Sequence, residues 1–449
     1  MVRVTGLLLV LLYHFYKTIF PGGFVGVDVF FTFSGYLITA LLIDEYSKHR
    51  KIDLLGFYRR RFYRIVPPLV LMVLMVIPFT YLVRRDYVAN IGTQIAAALG
   101  FTTNFYEIMT GGNYESQFVP HLFLQTWSLA IEMHFYLIWG WLIWFLGRRR
   151  HSLAQFRSMI FGISGLFFLG SFLSMFIRVF FVDNVSTIYF SSLSHSFPFF
   201  LGAMVATMTG VRETTVRFKK NVRLWTTKRS IITMATSFAL LMVLGLTLNF
   251  NHRITYWFGF LLASLFAVVM IYGARVLNDQ LPNAKEPVVI NYLSDISYGI
   301  YLFHWPFYVI FTQLMPHFLA VLLTVFFSIV LSTLSYYLLE PFIAGKSPSL
   351  LGVEFDLTPY KKWIYGGTAA LGLVTLVTVL MAPSMGNFES SLLVNSLNQE
   401  QSNVTRTHTL TAGDAAALSD VTIIGDSVAL RSSSAFSSLL PDKSEAKRS

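Results

Sequence analysis

The sequence contains no cysteine, and charged residues make up only 13% of its 449 positions. The first absence excludes disulfide frameworks, thiolate metal sites and a cysteine thioester intermediate; zinc-ligand spacings are also absent, so we expect no metal site. The second excludes an ordinary soluble domain, in which about a quarter of residues are charged. With 55% hydrophobic and 16% aromatic residues, the composition is typical of a protein that crosses a membrane several times.

The formal net charge of +11 comes from basic clusters that flank apolar segments. These clusters are Lys48 to Arg64, Arg148 to Arg157, Arg212 to Arg229 and the Lys361–Lys362 pair. Cytoplasmic loops of membrane proteins collect Lys and Arg, so the charge indicates topology in a lipid bilayer and no nucleic-acid partner. A basic cytoplasmic surface also attracts a phosphorylated substrate.

The first apolar segment carries two ionisable side chains, Arg3 and His14. Eleven residues are about three helical turns, so the two side chains share a face and lie roughly 16 Å apart along the axis. An ionisable group at mid-membrane depth costs several kcal/mol unless a partner or water satisfies it, and it is therefore a functional-site hypothesis. The alternative is a histidine that only hydrogen-bonds a neighbouring helix.

A second apolar segment follows a Pro-Gly-Gly turn and carries Asp28 and the Ser34–Gly35 pair. With these two segments the sequence resembles the acyltransferase-3 family of membrane acyltransferases over roughly residues 1–345. The matching features are Arg3 and His14, the run PGGFVGVDVFFTFSGYLIT, Arg61 and Arg64 in FYRRRFYRIVPP, Glu132 in TWSLAIE, and ISYGIYLFHWP. One departure is Gln125 before TWSLAIE, where a histidine is common.

We predict an all-α polytopic membrane protein with eleven crossings, the N-terminus in the cytoplasm and the C-terminus outside a bacterial cell membrane. The crossings are residues 4–20, 24–44, 66–83, 123–147, 158–181, 196–210, 231–250, 255–276, 294–315, 318–340 and 364–382. The third is expected to begin at Pro67 and Pro68. Segment 88–106 does not fit as a single crossing, so we interpret it as re-entrant, interfacial or packed at the outer face. The resemblance implies a ten-helix body, residues 1–345, and one linking helix within residues 346–382.

Residues 383–418 are rich in Ser, Asn, Gln, Thr and Ala, which is typical of an extracytoplasmic linker. The strand-like VTIIG then leads to Asp426 and Ser427. This arrangement resembles the first block of the SGNH hydrolase family, an α/β fold in which that serine is the nucleophile. No histidine follows Ser427, although such a serine needs a base. We therefore interpret residues 419–449 as the truncated start of an SGNH domain.

The resemblance implies an acyl-coenzyme A donor, most often acetyl-CoA, as a substrate and not as a bound cofactor. Coenzyme A is polyanionic, and Arg3, Arg61 and Arg64 are expected to bind its phosphates. His14 would act as general base or transient acyl relay, because its unperturbed pKa lies near physiological pH. Glu132, and after it Asp28, is expected to orient its ring; the alternative for both is polar contact between helices.

Three further residues complete the expected site. Ser34 would line a close-packed acyl or pantetheine passage, or else only pack. Tyr301 and His304 share a helix face, and Tyr301 would hand an acyl group or a proton to the outer side; the alternative is that the pair anchors the helix at the interface. Trp127 and Trp305 are expected to be interface anchors.

The resemblance therefore implies a membrane O-acyltransferase that moves acetyl from a cytoplasmic donor across the bilayer to a cell-envelope polysaccharide. The fused SGNH arrangement most resembles peptidoglycan O-acetyltransferases, in which Ser427 would carry acetyl to the glycan. Two alternatives stay open. One is an acyltransferase for exopolysaccharide or a lipid-linked sugar, and the other is a transporter-like protein that only moves an acyl carrier or lipid.

Overall fold

The structure is a computed structural model. It describes residues 1–111, 114, 119–149, 151–211, 214–283, 286–350 and 353–412, together with residues 423–424 and 446–447. Contacts divide the chain into two compact units, residues 1–87 with 91–381, and residues 88–90 with 382–449.

The described residues are almost entirely helical. The α-helices are α1 (Val2–Phe15), α2 (Gly26–His49), α3 (Leu54–Val76), α4 (Ile91–Leu99), α5 (Thr103–Met109), α6 (Thr126–Gly147), α7 (Leu153–Arg178), α8 (Ser186–Tyr189), α9 (Phe197–Thr209), α10 (Val216–Leu224), α11 (Thr227–Thr247), α12 (Phe260–Gln280), α13 (Val288–Leu314), α14 (His317–Leu334), α15 (Glu340–Ile343), α16 (Lys361–Met381) and α17 (Asn387–Ala412). Short 3-10 turns cover Gly23–Val25, Ile77–Leu82, Arg85–Val88 and Thr358–Tyr360, and π-helical turns cover Thr255–Gly259 and Ser335–Leu339. Two-residue strands pair antiparallel, β1 (Ser349–Leu350) with β2 (Val353–Glu354), and parallel, β3 (Ile423–Ile424) with β4 (Ala446–Lys447).

The all-α membrane fold is confirmed, since every predicted crossing lies on a helix. Among the described residues, eight helices are long and apolar enough to span a membrane, and α1 and α9 are shorter apolar helices. The ninth predicted crossing, residues 294–315, lies on α13, a 27-residue helix interrupted by polar side chains such as Asn291 and Asp295. These polar positions lower its hydropathy, and several of its residues belong to the candidate site described below.

The predicted start of the third crossing at Pro67 and Pro68 is wrong. α3 begins thirteen residues earlier at Leu54, where the side chain of Asp53 accepts a hydrogen bond from the backbone N–H of Gly56 at 3.0 Å. Both prolines lie inside the helix, which membrane helices tolerate when neighbouring groups satisfy the freed backbone. As a result Arg61 and Arg64 lie on a helix and not in a loop.

Helix α2 is the centre of the first unit. Of its most apolar 18-residue stretch 72% is buried, against 11–44% for the other seven candidate spans. It packs closely against α9 at two glycines. A Cβ atom on Gly35 would lie 1.9 Å from the carbonyl oxygen of Phe199, and a Cβ atom on Gly202 would lie 2.0 Å from the carbonyl oxygen of Thr32. This close approach holds Ser34, next to Gly35, in a defined position.

Of two other segments, one agrees with the sequence-based expectation and one differs from it. Segment 88–106 contains α4 and the first part of α5, each too short to span a membrane, which agrees with its exclusion as a single crossing. The expected linker contains the 26-residue helix α17. Its sequence lacks Pro and Gly, so nothing breaks the helix despite the many Ser, Asn and Thr residues.

Candidate functional site

A cavity opens beside the N-terminal end of α1. It holds about 900 Å³ of empty space, including its opening, and lies between α1, α2, α3, α6 and α13. Its polar lining residues are Arg3, Ser34, Arg61, Arg64, Ser128, Glu132, Tyr136, Ser297, Tyr298 and Tyr301. Six of the predicted site residues, from five different helices, therefore line one cavity, which we call the arginine cavity.

Glu132 is held by hydroxyl groups within the arginine cavity. Its Oε1 accepts short hydrogen bonds from Ser34 Oγ and from the hydroxyl of Tyr136, and the oxygen of this hydroxyl lies 3.3 Å from Ser34 Oγ. Ser128, Glu132 and Tyr136 share a face of α6 because they are spaced by four residues. The guanidinium groups of Arg3 and Arg61 line the same cavity as this carboxyl group.

The three arginines of the cavity differ in how they are satisfied. Arg3 lies over the ring of Phe33, 4.9 Å from its centroid, and Arg61 lies 5.8 Å from that of Phe57. Within the described residues neither arginine has a hydrogen-bond partner, and Nε of Arg61 is buried. Arg64 instead contacts Glu340, 2.8 Å away. Unsatisfied guanidinium donors that face a cavity are suited to binding an anion.

A second cluster lies at the other end of α1, and its centre is a pair of imidazoles. Nδ1–H of His304 donates to the carbonyl oxygen of Tyr301 at 2.7 Å, which leaves Nε2 of a neutral His304 as an acceptor. Nδ1–H of His14 donates to this Nε2 at 2.9 Å. Nε2 of His14 is then the free acceptor, and the hydroxyl of Tyr114 lies 3.3 Å from it. The tautomers follow from this chain of partners, because a carbonyl oxygen only accepts.

Aromatic rings enclose this histidine cluster, which we define as His14, His304, Tyr114 and Trp305. The ring of Trp305 lies 4.7 Å from that of His14, and its Nε1–H donates to the carbonyl oxygen of His121 at 3.0 Å. His304 is fully buried. Trp305 is half-buried beside these residues, and its expected role as an interface anchor stays a prediction.

Tyr301 connects the two sites. Its ring lines the arginine cavity, and its hydroxyl donates to the carbonyl oxygen of Gln125 at 3.0 Å and bonds Ser128 Oγ at 2.6 Å. The backbone carbonyl oxygen of Tyr301 accepts the hydrogen bond from Nδ1–H of His304. The side chain of Gln125 donates to the carbonyl oxygen of Leu302 at 2.9 Å and so ties α6 to α13.

Two expected partners of His14 lie elsewhere. Glu132 bonds Ser34 and Tyr136, and Asp28 pairs with His195 at 3.1 Å, both residues being fully buried. Among the described residues, His14 hydrogen-bonds only His304 and Tyr114. The expectation that either carboxylate orients the ring of His14 by direct contact is therefore wrong, because a second imidazole takes that position.

The Asp28–His195 pair lies against the ring of Trp127, whose centroid is 5.7 Å from that of His195. Trp127 is 1% exposed, so its expected role as an interface anchor is wrong. It packs between α2 and the segment before α9 and helps to bury the pair. Ser427, the remaining predicted catalytic residue, lies outside the described residues.

The sequence-based reasoning missed several residues of both sites. Tyr136 and Ser128 had a usable signal, because each is four residues from Glu132 on the same helix. Tyr114 and His195 had none. Tyr114 lies in a polar stretch between helices, and His195 lies in a serine-rich loop, so only the folded chain brings them to their partners.

Comparison with known proteins identifies relatives of this chain. Residues 1–340 match the acyltransferase-3 family, which is described as an acyltransferase domain. An O-acetyltransferase OatA from Staphylococcus aureus (strain NCTC 8325 / PS 47) is 28% identical over 387 residues, which cover 84% of this chain and 60% of that protein. The putative peptidoglycan O-acetyltransferase YrhL from Bacillus subtilis (strain 168) is 28% identical over 346 residues, 75% of this chain and 53% of that protein.

The peptidoglycan O-acetyltransferase OatA from Listeria monocytogenes is 24% identical over 348 residues, 75% of this chain and 54% of that protein. The chain thus spans 53–60% of the length of these relatives. No solved structure matches the chain.

Proposed function

The chain belongs to the acyltransferase-3 family, and we propose that it is a membrane O-acetyltransferase that transfers acetyl to a hydroxyl of a cell-envelope polysaccharide. Peptidoglycan is the proposed acceptor, because two of the relatives above carry it in their names. The observation that carries the proposal is the imidazole pair. It presents Nε2 of His14 as an acceptor toward a hydroxyl, which is the arrangement a general base needs.

We propose acyl-coenzyme A, with acetyl-CoA first, as the donor. The support is the arginine cavity, in which Arg3 and Arg61 have guanidinium groups without a carboxylate within 4.0 Å among the described residues. Planar guanidinium groups bind phosphate through paired hydrogen bonds. In this proposal the cavity opens to the cytoplasm, consistent with the basic residues near it, and the histidine cluster lies toward the outer side.

The transfer step assigns roles to the histidine cluster. The oxygen of an acceptor hydroxyl attacks the thioester carbonyl, its proton goes to Nε2 of His14, and the C–S bond breaks. The thiolate of coenzyme A then takes a proton from the imidazolium. His304 positions His14, since its Nε2 accepts from Nδ1–H of His14. The hydroxyl of Tyr114 lies where such an acceptor hydroxyl would be, and in a longer protein Ser427 would carry acetyl onward to the glycan.

The first experiment measures transfer of labelled acetyl from acetyl-CoA onto the purified protein in lipid, for the wild type and His14→Ala. We expect labelling of the wild type and loss of labelling in the variant. Thermal-unfolding measurements should show that both proteins are folded. His49→Ala, at the exposed end of α2, is the matched control and should label normally. Normal turnover in His14→Ala would sink the assignment.

The same experiment separates the alternatives. Mapping the label distinguishes Tyr114, Tyr301 and Ser427 as acyl carriers. A transporter would retain partial flux of its cargo in His14→Ala and label no residue. Acceptor assays with peptidoglycan, exopolysaccharide and lipid-linked sugar then identify the acceptor class.

A further inference from the structure

Arg64 differs from the other arginines of the cavity because a carboxylate already neutralises it. Its Nη1 lies 2.8 Å from Oε2 of Glu340, and its Nη2 donates to the carbonyl oxygen of Asp295 at 3.1 Å. The guanidinium also lies over the ring of Tyr336, 4.5 Å from the centroid. Within the described residues, no carboxylate lies within 4.0 Å of the guanidinium of Arg3 or Arg61.

A local irregularity in the backbone directs Glu340 toward Arg64. α14 and α15 form a continuous helix through the π-helical turn Ser335–Leu339, and Glu340 is the residue directly after this turn. A π-helical turn inserts a residue into the α-helical register, which rotates the following side chains by about 100°. Without the turn, Glu340 would face a different neighbour.

The Arg64–Glu340 pair lies beside the cavity and is accessible from it. Arg64 lines the cavity and its side chain is 30% exposed, whereas that of Glu340 is 13% exposed. A carboxylate and a phosphate bind a guanidinium through the same N–H groups. The two anions therefore compete for Arg64, while the bond from Nη2 to Asp295 can remain in place.

We propose that Glu340 sets the affinity of the arginine cavity by competing with a phosphate group of the donor for Arg64. The inference rests on the proposed acyl-coenzyme A donor. Acetyl-CoA and the product coenzyme A carry the same phosphates, so tight phosphate binding holds substrate and product equally and does not accelerate the chemical step. A built-in competing carboxylate weakens the hold on both and speeds product release.

The test measures the Kd of coenzyme A for the full chain in detergent or lipid, for the wild type and Glu340→Gln. Glutamine keeps an oxygen that accepts from Arg64 but removes the charge. We expect the Kd of coenzyme A and the KM for acetyl-CoA to fall about threefold to tenfold. The kcat should not rise, because tighter binding holds substrate and product alike. A Kd that is unchanged or higher would mean that Glu340 only holds Arg64 in place, and would overturn the inference.

Two further variants make the result specific. Glu45→Gln is the matched control, since Glu45 forms a similar pair with Arg60 at 3.0 Å, and its Kd should equal that of the wild type. Arg64→Gln should weaken binding and remove the effect of Glu340→Gln; a full effect without Arg64 would contradict competition at that residue. If Glu340→Gln does not fold, Glu340→Asp replaces it as the test. Its shorter side chain moves the carboxylate away from Arg64, so the Kd of coenzyme A should fall by a smaller factor.

The inference and the proposed donor fail in different ways. A wild type that binds coenzyme A normally, with the same Kd in Glu340→Gln, overturns the inference alone. A wild type that does not bind coenzyme A overturns the donor assignment and, with it, the inference.

Discussion

The two ends of α1 face different chemical environments. Arg3 faces a cavity with two further arginines and a carboxylate held by hydroxyl groups. His14 faces a second imidazole, a phenol and an indole. About 16 Å of helix separate the two residues.

This difference separates two tasks that interfere when they are close together. A polyanion is bound best where positive charge is concentrated, whereas a base that must accept a proton works best away from guanidinium groups. One helix holds both groups at a fixed separation, and Tyr301 links them through its ring on one side and its carbonyl oxygen on the other. Substitutions at each end and at Tyr301 should therefore have different kinetic signatures.

The largest effect is expected for His304→Ala at the histidine end. Without Nε2 of His304, Nδ1–H of His14 loses its acceptor and the ring is no longer held with Nε2 toward the hydroxyl. We expect kcat to fall about 10²- to 10⁴-fold with the donor KM nearly unchanged, because positioned general bases contribute about this much. Steady-state transfer of acetyl from acetyl-CoA measures both constants.

His134→Ala is the control for His304→Ala. His134 is a half-buried histidine, bonded to Ser192 Oγ at 3.0 Å and outside both sites, so its loss should leave kcat within a few-fold of the wild type. A rise in donor KM for His304→Ala, with kcat unchanged, would contradict the separation of the two ends.

An intermediate effect is expected for Arg61→Ala at the arginine end. This change removes a guanidinium that has no hydrogen-bond partner among the described residues. We expect the donor KM to rise about 10- to 100-fold with kcat nearly constant, since a hydrogen bond to a charged group contributes about 1.5–3 kcal/mol. The Kd of coenzyme A, measured directly, should rise by the same factor.

Arg60→Ala is the matched control for Arg61→Ala, because Arg60 points to Glu45 and does not line the cavity. Its donor KM should stay at the wild-type value. Equal effects of the two substitutions would indicate a diffuse attraction by the basic surface and would remove the argument for a defined phosphate site.

The smallest effect is expected for Tyr301→Phe, which tests the link between the ends. The hydroxyl that is lost bonds Ser128 and Gln125, but the carbonyl oxygen that holds His304 remains. We expect kcat to fall by about tenfold or less, the cost of one or two neutral hydrogen bonds. Tyr298→Phe is the control, because Tyr298 lies on the same helix and lines the same cavity. It also loses a hydroxyl, one that donates to the carbonyl oxygen of Ile65. A hundredfold loss confined to Tyr301→Phe would instead support the hydroxyl as an acyl or proton relay.

The positions of the apolar helices could be predicted from the sequence, because hydropathy and helix length are properties of single segments. Every predicted crossing coincides with a helix, and the exclusion of segment 88–106 as a crossing agrees with its two short helices. The residues at which the helices begin and end were less predictable. Pro67 and Pro68 suggest a helix start, but capping by Asp53 and satisfaction of the backbone by neighbouring helices extend α3 by more than three turns.

The sequence alone also identified the polar residues that an apolar segment should exclude, among them Arg3, His14, Ser34 and Glu132. Which of these meet was decided by the tertiary structure. His14 bonds a histidine 290 residues away, and Ser34 bonds a glutamate 98 residues away. Such pairs depend on how closely helices approach, as α2 and α9 do at Gly35 and Gly202, and a single segment's periodicity carries no information about its neighbour.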